Sequence, residues 1–278
     1  EKISKVGTQP IIGTQINILH ENLVGKITLY AISEKGYKNL TKLSSLSYLN
    51  NNTSYEPHCL LEDLIQNNED LILLTGNYSN FFGKLFYGNK IKNLEKIVDK
   101  LKIYFQDRIY LEVQRHSETQ EKNFENFLLK ISSTHDLPLI ACQEVYYIDP
   151  KMAEAHDALI CIGEKKFIED PNRFRYSDQH YIKKSEELKK LYRDIPEALE
   201  NNYNFPLRFR FKPKGSKPIL PSISTNKNTT IENELMDQSK IGLIKRLNNF
   251  VFKKKNKSSH SEIKKIYEDR LNHELSII

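Results

Sequence analysis

Short apolar runs alternate with longer amphipathic stretches through the first half of the chain, and this alternation limits the possible folds. The predicted strands are Pro10–Leu19, Lys26–Ala31, Leu71–Leu74, Ile109–Val113 and Leu137–Ala141. Apolar residues at helical spacing lie between them, over Glu34–Leu49, Leu94–Phe105 and Phe124–Ile131. Strands that alternate with helices of this length predict an α/β fold with a mostly parallel sheet or barrel.

Polar residues follow the predicted strands, where α/β folds usually collect their chemistry. These residues are Thr14-Gln15, Thr75-Gly76-Asn77, Gln114-Arg115-His116 and Cys142-Gln143-Glu144. We therefore expect any functional site of this part of the chain to lie at the carboxyl ends of the strands.

The pattern changes after Pro150. Helices are predicted over Met152–Ile162, Ser185–Tyr192, Ile231–Phe252 and Ser261–Ile278, with an extended crossover over Asn204–Ile223. Earlier in the chain, Ser117 and Gln120 have the spacing of a capping box, which predicts a helix start there.

The basic surplus of the chain is confined to one stretch. Residues 201–260 contain 13 Lys and Arg against 3 Asp and Glu, although the whole chain has a formal net charge of only +6. Within it Arg208, Arg210, Lys212, Lys214 and Lys217 alternate with aromatic residues and proline. In an extended segment this period places the cations on one face, which suits contact with a nucleic-acid backbone. A solvated edge strand, on which Lys and Pro prevent aggregation, explains the same residues.

Several other classes of protein are not favoured. No apolar run reaches the roughly 18 residues of a membrane-spanning helix, and the first residues have no apolar signal region, so we expect a cytoplasmic protein without a membrane partner. The 3 cysteines indicate buried thiols rather than a disulfide framework, and none of the 8 histidines pairs with another at HxH or HxxxH spacing. Nucleotide-binding loops and serine-nucleophile motifs are absent from the sequence.

Seven phrases resemble the alpha subunits of bacterial replicative DNA polymerase III, in the N-terminal polymerase-and-histidinol-phosphatase (PHP) domain. They occur in the order of that family, as PIIG (10–13), EKGYKNLTKLSS (34–45), YLEVQRH (110–116), EAHDALICI (154–162), DPNR (170–173), DIPEALEN (194–201) and YEDRL (267–271). The resemblance implies a fragment: a distorted seven-stranded βα barrel of PHP type without its N-terminal strands over residues 1–210, then a mainly helical connector and the start of the polymerase palm over 211–278. The parent chain would be a DNA-directed DNA polymerase, with Mg²⁺ and the catalytic aspartates in its palm.

Five positions correspond to metal ligands in metal-binding members of that family. They hold Gln15, Lys26, Asn77, Glu144 and Tyr146, of which only Glu144 is an ordinary metal ligand. The resemblance therefore implies a degenerate PHP domain with no metal, no cofactor and no catalytic residue of its own. The other four side chains would fill the emptied site by hydrogen bonding, and Lys26 and Glu144 would form an ion pair across it.

The family also implies partners. A separate proofreading exonuclease, the epsilon subunit, would dock on the PHP domain, and the parent chain would bind the sliding clamp, other holoenzyme subunits and primer-template DNA. Two other hypotheses stay open. One is a metal-dependent PHP phosphoesterase or 3′–5′ exonuclease, which the five positions argue against. The other is a helical nucleic-acid-binding module, for which strong, salt-dependent binding by residues 201–260 would be the evidence.

Overall fold

The chain is described here from a computed structural model. The structure describes residues 2–49, 55–215, 217–219, 229–254 and 259–278. It divides into two compact units, residues 1–214 and residues 215–278.

The first unit is built on one mixed sheet, which confirms the predicted α/β class. Its strands in the described residues are β1 (Ile12–His20), β2 (Leu23–Ala31), β3 (Cys59–Leu60), β4 (Leu71–Leu74), β5 (Ile109–Gln114) and β6 (Leu139–Cys142), in the order β3-β1-β2-β4-β5-β6. Strands β4, β5 and β6 are mutually parallel, whereas β2 is antiparallel to both β1 and β4. This sheet is consistent with a PHP-type fold, and a seven-stranded barrel remains a prediction.

Helices connect the strands and continue after the sheet. They are α1 (Lys2–Lys5), α2 (Glu34–Leu49), α3 (Leu61–Gln66), α4 (Phe81–Tyr87), α5 (Ile91–Phe105), α6 (Glu121–His135), α7 (Ala153–Glu164), α8 (Ser185–Leu191), α9 (Pro196–Asn204), α10 (Ile231–Arg246) and α11 (His260–Ile277). Short 3-10 turns lie at Gln106–Arg108, Pro150–Met152, Phe205–Arg208 and Phe252–Lys254, and Leu247–Val251 is a π-helical turn.

The hairpin between β1 and β2 is tighter than the sequence predicted. Glu21 turns the chain with φ of 53°, and β2 begins at Leu23 rather than at Lys26. Gly25, the residue before the predicted strand start, lies inside the strand, and the backbone of α4 packs on it. A Cβ at Gly25 would come within 2.5 Å of the Phe81 Cα atom. Lys26 consequently lies within β2, opposite Asn17 of β1.

The sheet is buried on both faces. On one face the helices cover a large apolar core that includes Leu29, Leu73 and Phe105. On the other face a smaller cluster contains Ile72, Leu74, Tyr110, Ile140 and Phe209. Alternate residues of β4 therefore enter opposite cores, as expected of a continuous apolar strand.

The predicted capping box before α6 is wrong. Ser117 has φ of 64°, and Gln120 precedes the helix without a side-chain cap. The carboxylate of Glu121 replaces it and accepts hydrogen bonds from the backbone N–H groups of His116, at 2.7 and 2.9 Å, and Glu118, at 3.1 Å. An anion at the first helical turn also interacts favourably with the helix dipole.

The second unit consists of helices in its described part. Thr230 caps α10, and its Oγ1 atom accepts a hydrogen bond from the Asn233 N–H at 3.3 Å. The α-helix ends at Arg246, earlier than the predicted Phe252, and the chain continues as the π-helical turn that contains Asn248 and Asn249. Asparagine has a weak intrinsic helix preference. No helix in the described part of the chain combines the length and apolar character needed to cross a bilayer.

Tyr192 supplies a test of this packing. Its side chain is fully buried, its hydroxyl lies 3.1 Å from the Cys142 carbonyl oxygen and 3.3 Å from that of Val113, and the Gln143 amide donates to it at 2.8 Å. We expect Tyr192→Phe to lower the free energy of unfolding by about 1–3 kcal/mol, because buried polar groups lose their partner. Urea unfolding measures this loss. The exposed Tyr203→Phe is the matched control, and equal stability of the two variants would contradict the packing described.

Candidate functional site

A cavity of about 740 Å³ opens at the carboxyl ends of β4, β5 and β6. The residues after these strands, Asn77, His116 and Glu144, line it together with residues of β1 and β2. The parallel strands end on one side of the sheet, so side chains far apart in sequence meet there. The cavity lies where the sequence placed a functional site.

The structure brings the five predicted metal-site positions to this one cavity. Gln15 from β1 and Lys26 from β2 line it, as do Asn77 after β4 and both Glu144 and Tyr146 after β6. The register of β1 and β2 and the parallel order of β4, β5 and β6 produce this juxtaposition.

Four of these five side chains form hydrogen bonds within the protein. The Gln15 amide donates to the Thr28 hydroxyl at 3.4 Å, and the Asn77 amide donates to the Glu144 carboxylate at 3.4 Å. The hydroxyl groups of Tyr146 and Tyr176 lie 3.0 Å apart. Polar side chains therefore bond to one another around the cavity.

The expected ion pair between Lys26 and Glu144 is wrong. Lys26 is exposed, and among the residues that the structure describes no ion pair joins it to Glu144. Lys26 lies on β2, whereas the Glu144 carboxylate is engaged by Asn77.

A pair of stacked histidines holds the backbone of Glu144. The rings of His116 and His180 are parallel within 2°, with their centroids 4.1 Å apart, and both side chains are buried. Nε2 of His116 accepts from the Glu144 N–H at 3.0 Å, and Nδ1 of His180 lies 2.9 Å from the Glu144 carbonyl oxygen. These partners place the proton of each ring on Nδ1.

Glu121 completes this arrangement, since its carboxylate lies 3.0 Å from Nδ1 of His116. Burial, and next the neighbouring His116, lower the pKa of His180. The neutral ring suits its role as a donor to a carbonyl group. Sequence analysis placed His116 after a strand but had no signal for His180, because only tertiary structure joins positions 116 and 180.

Tyr146 lines the cavity and packs against neighbouring aromatic rings. Its ring stacks on His156 with centroids 4.9 Å apart, and it contacts the Tyr176 ring at 4.6 Å. Burial, followed by the hydrogen bond with Tyr176, raises the pKa of the Tyr146 hydroxyl. The phenol therefore stays protonated and is a weak candidate for a metal ligand.

Glu112 is a buried carboxyl group of β5. Gln114 donates to its Oε1 atom at 2.5 Å, while Oε2 has no hydrogen-bond partner among the described residues. Burial is the main reason that the pKa of Glu112 is raised. Its environment therefore favours the neutral acid.

The five predicted backbone-contact cations do not share one environment. The Arg208 guanidinium donates to the Tyr110 hydroxyl at 2.8 Å and forms an ion pair with Asp107 at 2.7 Å. It therefore holds the segment after α9 against the start of β5, within the first unit. Arg210, Lys212 and Lys214 of the first unit are exposed, and Lys217 is exposed in the second. Phe209 between them is buried, which agrees with the predicted alternation.

Potential metal ligands are dispersed over residues 2–49, 55–215, 217–219, 229–254 and 259–278. In these ranges no group of three or more His, Cys, Asp and Glu side chains is arranged to hold a metal ion. Structural and catalytic metal sites in proteins ordinarily draw at least three such ligands together.

Comparison with known proteins gives the family. Residues 1–116 match the PHP domain. Over 277 residues, 99% of its length, the chain is 36% identical to DNA polymerase III subunit alpha of Rickettsia bellii, of which it covers 24%. The subunits of Caulobacter vibrioides and Vibrio cholerae are 33% and 31% identical over 98% of the chain, which again covers 24% of each. The chain is homologous to DNA polymerase III subunit alpha, and its residues 1–116 match the PHP domain.

The PHP match covers β1, β2, β4 and β5, and thus the part of the sheet that supplies Gln15, Lys26 and Asn77. The similarity to the alpha subunits continues through Glu144, Tyr146 and the basic segment. The chain spans about a quarter of the length of the curated relatives it matches.

The buried Glu112 predicts a pH effect on stability. Because the folded state keeps this proton to a pH above the ordinary value of 4.5, it binds more protons than the unfolded state, and stability falls as the pH rises from there through the folded pKa. Glu112→Gln removes this loss, so the stability of the variant relative to the wild type should rise from acid to neutral pH.

Urea unfolding at several pH values measures the effect. Glu154→Gln, on the exposed side of α7, is the matched control and should follow the wild type. A Glu112→Gln curve parallel to that of the wild type at every pH would refute a retained proton.

Proposed function

We propose that this chain is the PHP region of a replicative DNA polymerase alpha subunit, and that its PHP domain is a metal-free, non-catalytic scaffold. The observation that carries the proposal is the lining of the cavity. The five positions that correspond to metal ligands in the family surround it, but four of them hold Gln15, Lys26, Asn77 and Tyr146. Neutral amides and a protonated phenol supply little charge to offset clustered divalent cations, and a lysine opposes them.

The remaining groups support a structural role. Both ring nitrogens of His116 are engaged, by Glu121 and by the Glu144 N–H, whereas His180 is engaged at Nδ1 by the Glu144 carbonyl and its buried Nε2 atom has no hydrogen-bond partner among the described residues. A metal ion on His116 would have to displace these contacts. The hydrogen-bonded lining stabilises the cavity without one.

For the protein that contains this chain we propose DNA-directed DNA synthesis in the cytoplasm, with Mg²⁺ and the catalytic aspartates in a palm domain. Its partners would be primer-template DNA, the sliding clamp and other holoenzyme subunits. This part of the proposal rests on the similarity to the alpha subunits. Proofreading would come from a separate epsilon exonuclease docked on the PHP domain.

Metal content tests the scaffold. We expect the full-length protein, purified without chelator, to contain less than about 0.2 zinc, manganese or iron per chain by plasma emission, because the ligand set is incomplete. The variant Gln15→Glu/Lys26→His/Asn77→Cys/Tyr146→His restores ligand types and should raise the content. Two or three metals per wild-type chain, with 3′–5′ exonuclease activity, would instead establish the phosphoesterase alternative. Circular dichroism checks that the restored variant is folded.

Epsilon docking is tested separately. The full-length protein and the epsilon subunit of the same organism should form a complex at micromolar concentration in size-exclusion chromatography. Such a complex supplies the nuclease that the PHP domain lacks. Failure to co-elute, with each protein folded, would exclude docking and leave the metal result intact.

A further inference from the structure

A second surface of the first unit is suited to a polyanion. The segment after Phe209 and the start of α2 enclose a groove of about 460 Å³. Tyr37 and Lys38 line one side of this groove, and Arg210, Phe211, Lys212 and Lys214 line the other. This basic groove is distinct from the cavity at the carboxyl ends of the strands, with which it shares no lining residue.

The charge of the basic groove is largely uncompensated. Within the described part of the chain, the side chains of Arg210, Lys212 and Lys214 form no ion pair or hydrogen bond. Glu34 is the acidic residue of the lining, and it is engaged by Lys38 at 3.0 Å. The three free cations therefore attract negative charge, since the carboxylate of Glu34 in the same lining is paired with Lys38.

The segment that follows Phe209 is held in place by contacts with the sheet and with the smaller core. Phe209 is buried in the smaller core, and the Arg210 N–H donates to the Ile32 carbonyl at 2.8 Å. Residues 210, 212 and 214 are exposed while 209, 211 and 213 are buried or half-buried. Alternate residues of an extended chain lie about 6.6 Å apart, a spacing that can follow successive phosphates of a stretched strand.

An aromatic pair lies among these cations. The rings of Tyr37 and Phe211 stack with centroids 4.9 Å apart and an angle of 26°. Tyr37 retains 37% of its surface exposed. Exposed aromatic faces bind unpaired bases by stacking, whereas the bases of a duplex are stacked on each other.

We propose that the basic groove binds single-stranded DNA without sequence preference. Its phosphates lie along Arg210, Lys212 and Lys214, and a base stacks on the Tyr37–Phe211 pair. Arg208 is excluded from this contact because Asp107 and Tyr110 engage it. The choice of DNA rests on the proposed polymerase function, since the surface itself specifies a flexible strand of phosphates and aromatic bases.

Salt dependence is the first test. Binding of a fluorescent oligo-dT to the full-length protein is followed by anisotropy between low and physiological salt. The slope of log K against log salt is about −0.7 for each phosphate contact of a single strand. Arg210→Gln/Lys212→Gln/Lys214→Gln removes three contacts and should therefore make the slope less steep by about 2. The matched control, Lys92→Gln/Lys96→Gln/Lys130→Gln, changes charge equally on exposed helix positions and should retain the wild-type slope.

Stacking is tested on the same oligonucleotide. Tyr37→Ser should weaken binding about tenfold with an unchanged salt slope, while Tyr37→Phe should bind like the wild type. Equal slopes for the two triple variants would overturn the proposal, as would equal losses for a duplex and the single strand. If the protein contains no metal but the DNA-binding tests fail, only the proposal for the basic groove is refuted. If the cavity contains metal but the triple variant at residues 210, 212 and 214 has a less steep salt slope than the control, only the metal-free scaffold is refuted.

Discussion

The candidate site depends most on the ion pairs that the Arg115 guanidinium forms with Glu125 and Asp194. Arg115 follows β5 and forms paired hydrogen bonds with Glu125 of α6, at 2.6 and 2.9 Å, and with Asp194 after α8, at 2.7 and 2.8 Å. Its Cζ atom also lies 5.1 Å from the centre of the Tyr192 ring. Two carboxylates and an aromatic face satisfy a planar cation that is only 17% exposed, so the end of β5 is fixed to the helices behind it.

The polar groups of the cavity follow from that anchor. Arg115 fixes the backbone beside His116, whose ring then meets Glu121 on one side and the Glu144 N–H on the other. The ring of Tyr192 lies against Arg115, and its hydroxyl contacts the carbonyls of Val113 and Cys142 at the ends of β5 and β6. A connected set of hydrogen bonds thus holds the ends of two strands in register with residues from α6 to α9.

The sequence could predict the elements whose signal is local. Helix α2 begins and ends at the predicted Glu34 and Leu49, and β4 spans the predicted Leu71–Leu74, because amphipathic spacing and a short apolar run are local properties. The predicted start of β2 was wrong because Gly25 lies within the strand where the backbone of α4 packs on it, and residue spacing in the sequence does not reveal this contact. The Ser117 cap failed because a carboxylate further along the chain replaced it.

The candidate site divides in the same way. Asn77 and Glu144 follow from strand ends and from the family pattern, whereas Gln15 lies within β1 and follows from the family pattern alone; the structure gathers all three at one cavity. The His116–His180 stack could not be predicted, since neither residue has a partner within the local spacing that marks a ligand pair. Arg208 shows the limit of charge counting, because its ion pair with Asp107 joins residues 101 positions apart in the sequence.

Charge balance connects these observations. Four carboxylates line the cavity, and each has a partner within the protein: Glu56 accepts from the Asn17 amide at 3.3 Å, Glu118 from the Ser177 N–H at 2.9 Å, Glu121 from His116, and Glu144 from Asn77. A site built around cations would leave its anions to the metal, whereas here hydrogen bonds satisfy them. Amides at Gln15 and Asn77 in place of ligands reduce the negative charge that remains to be neutralised. Under the proposed function, this lining lets the cavity persist as part of a metal-free scaffold.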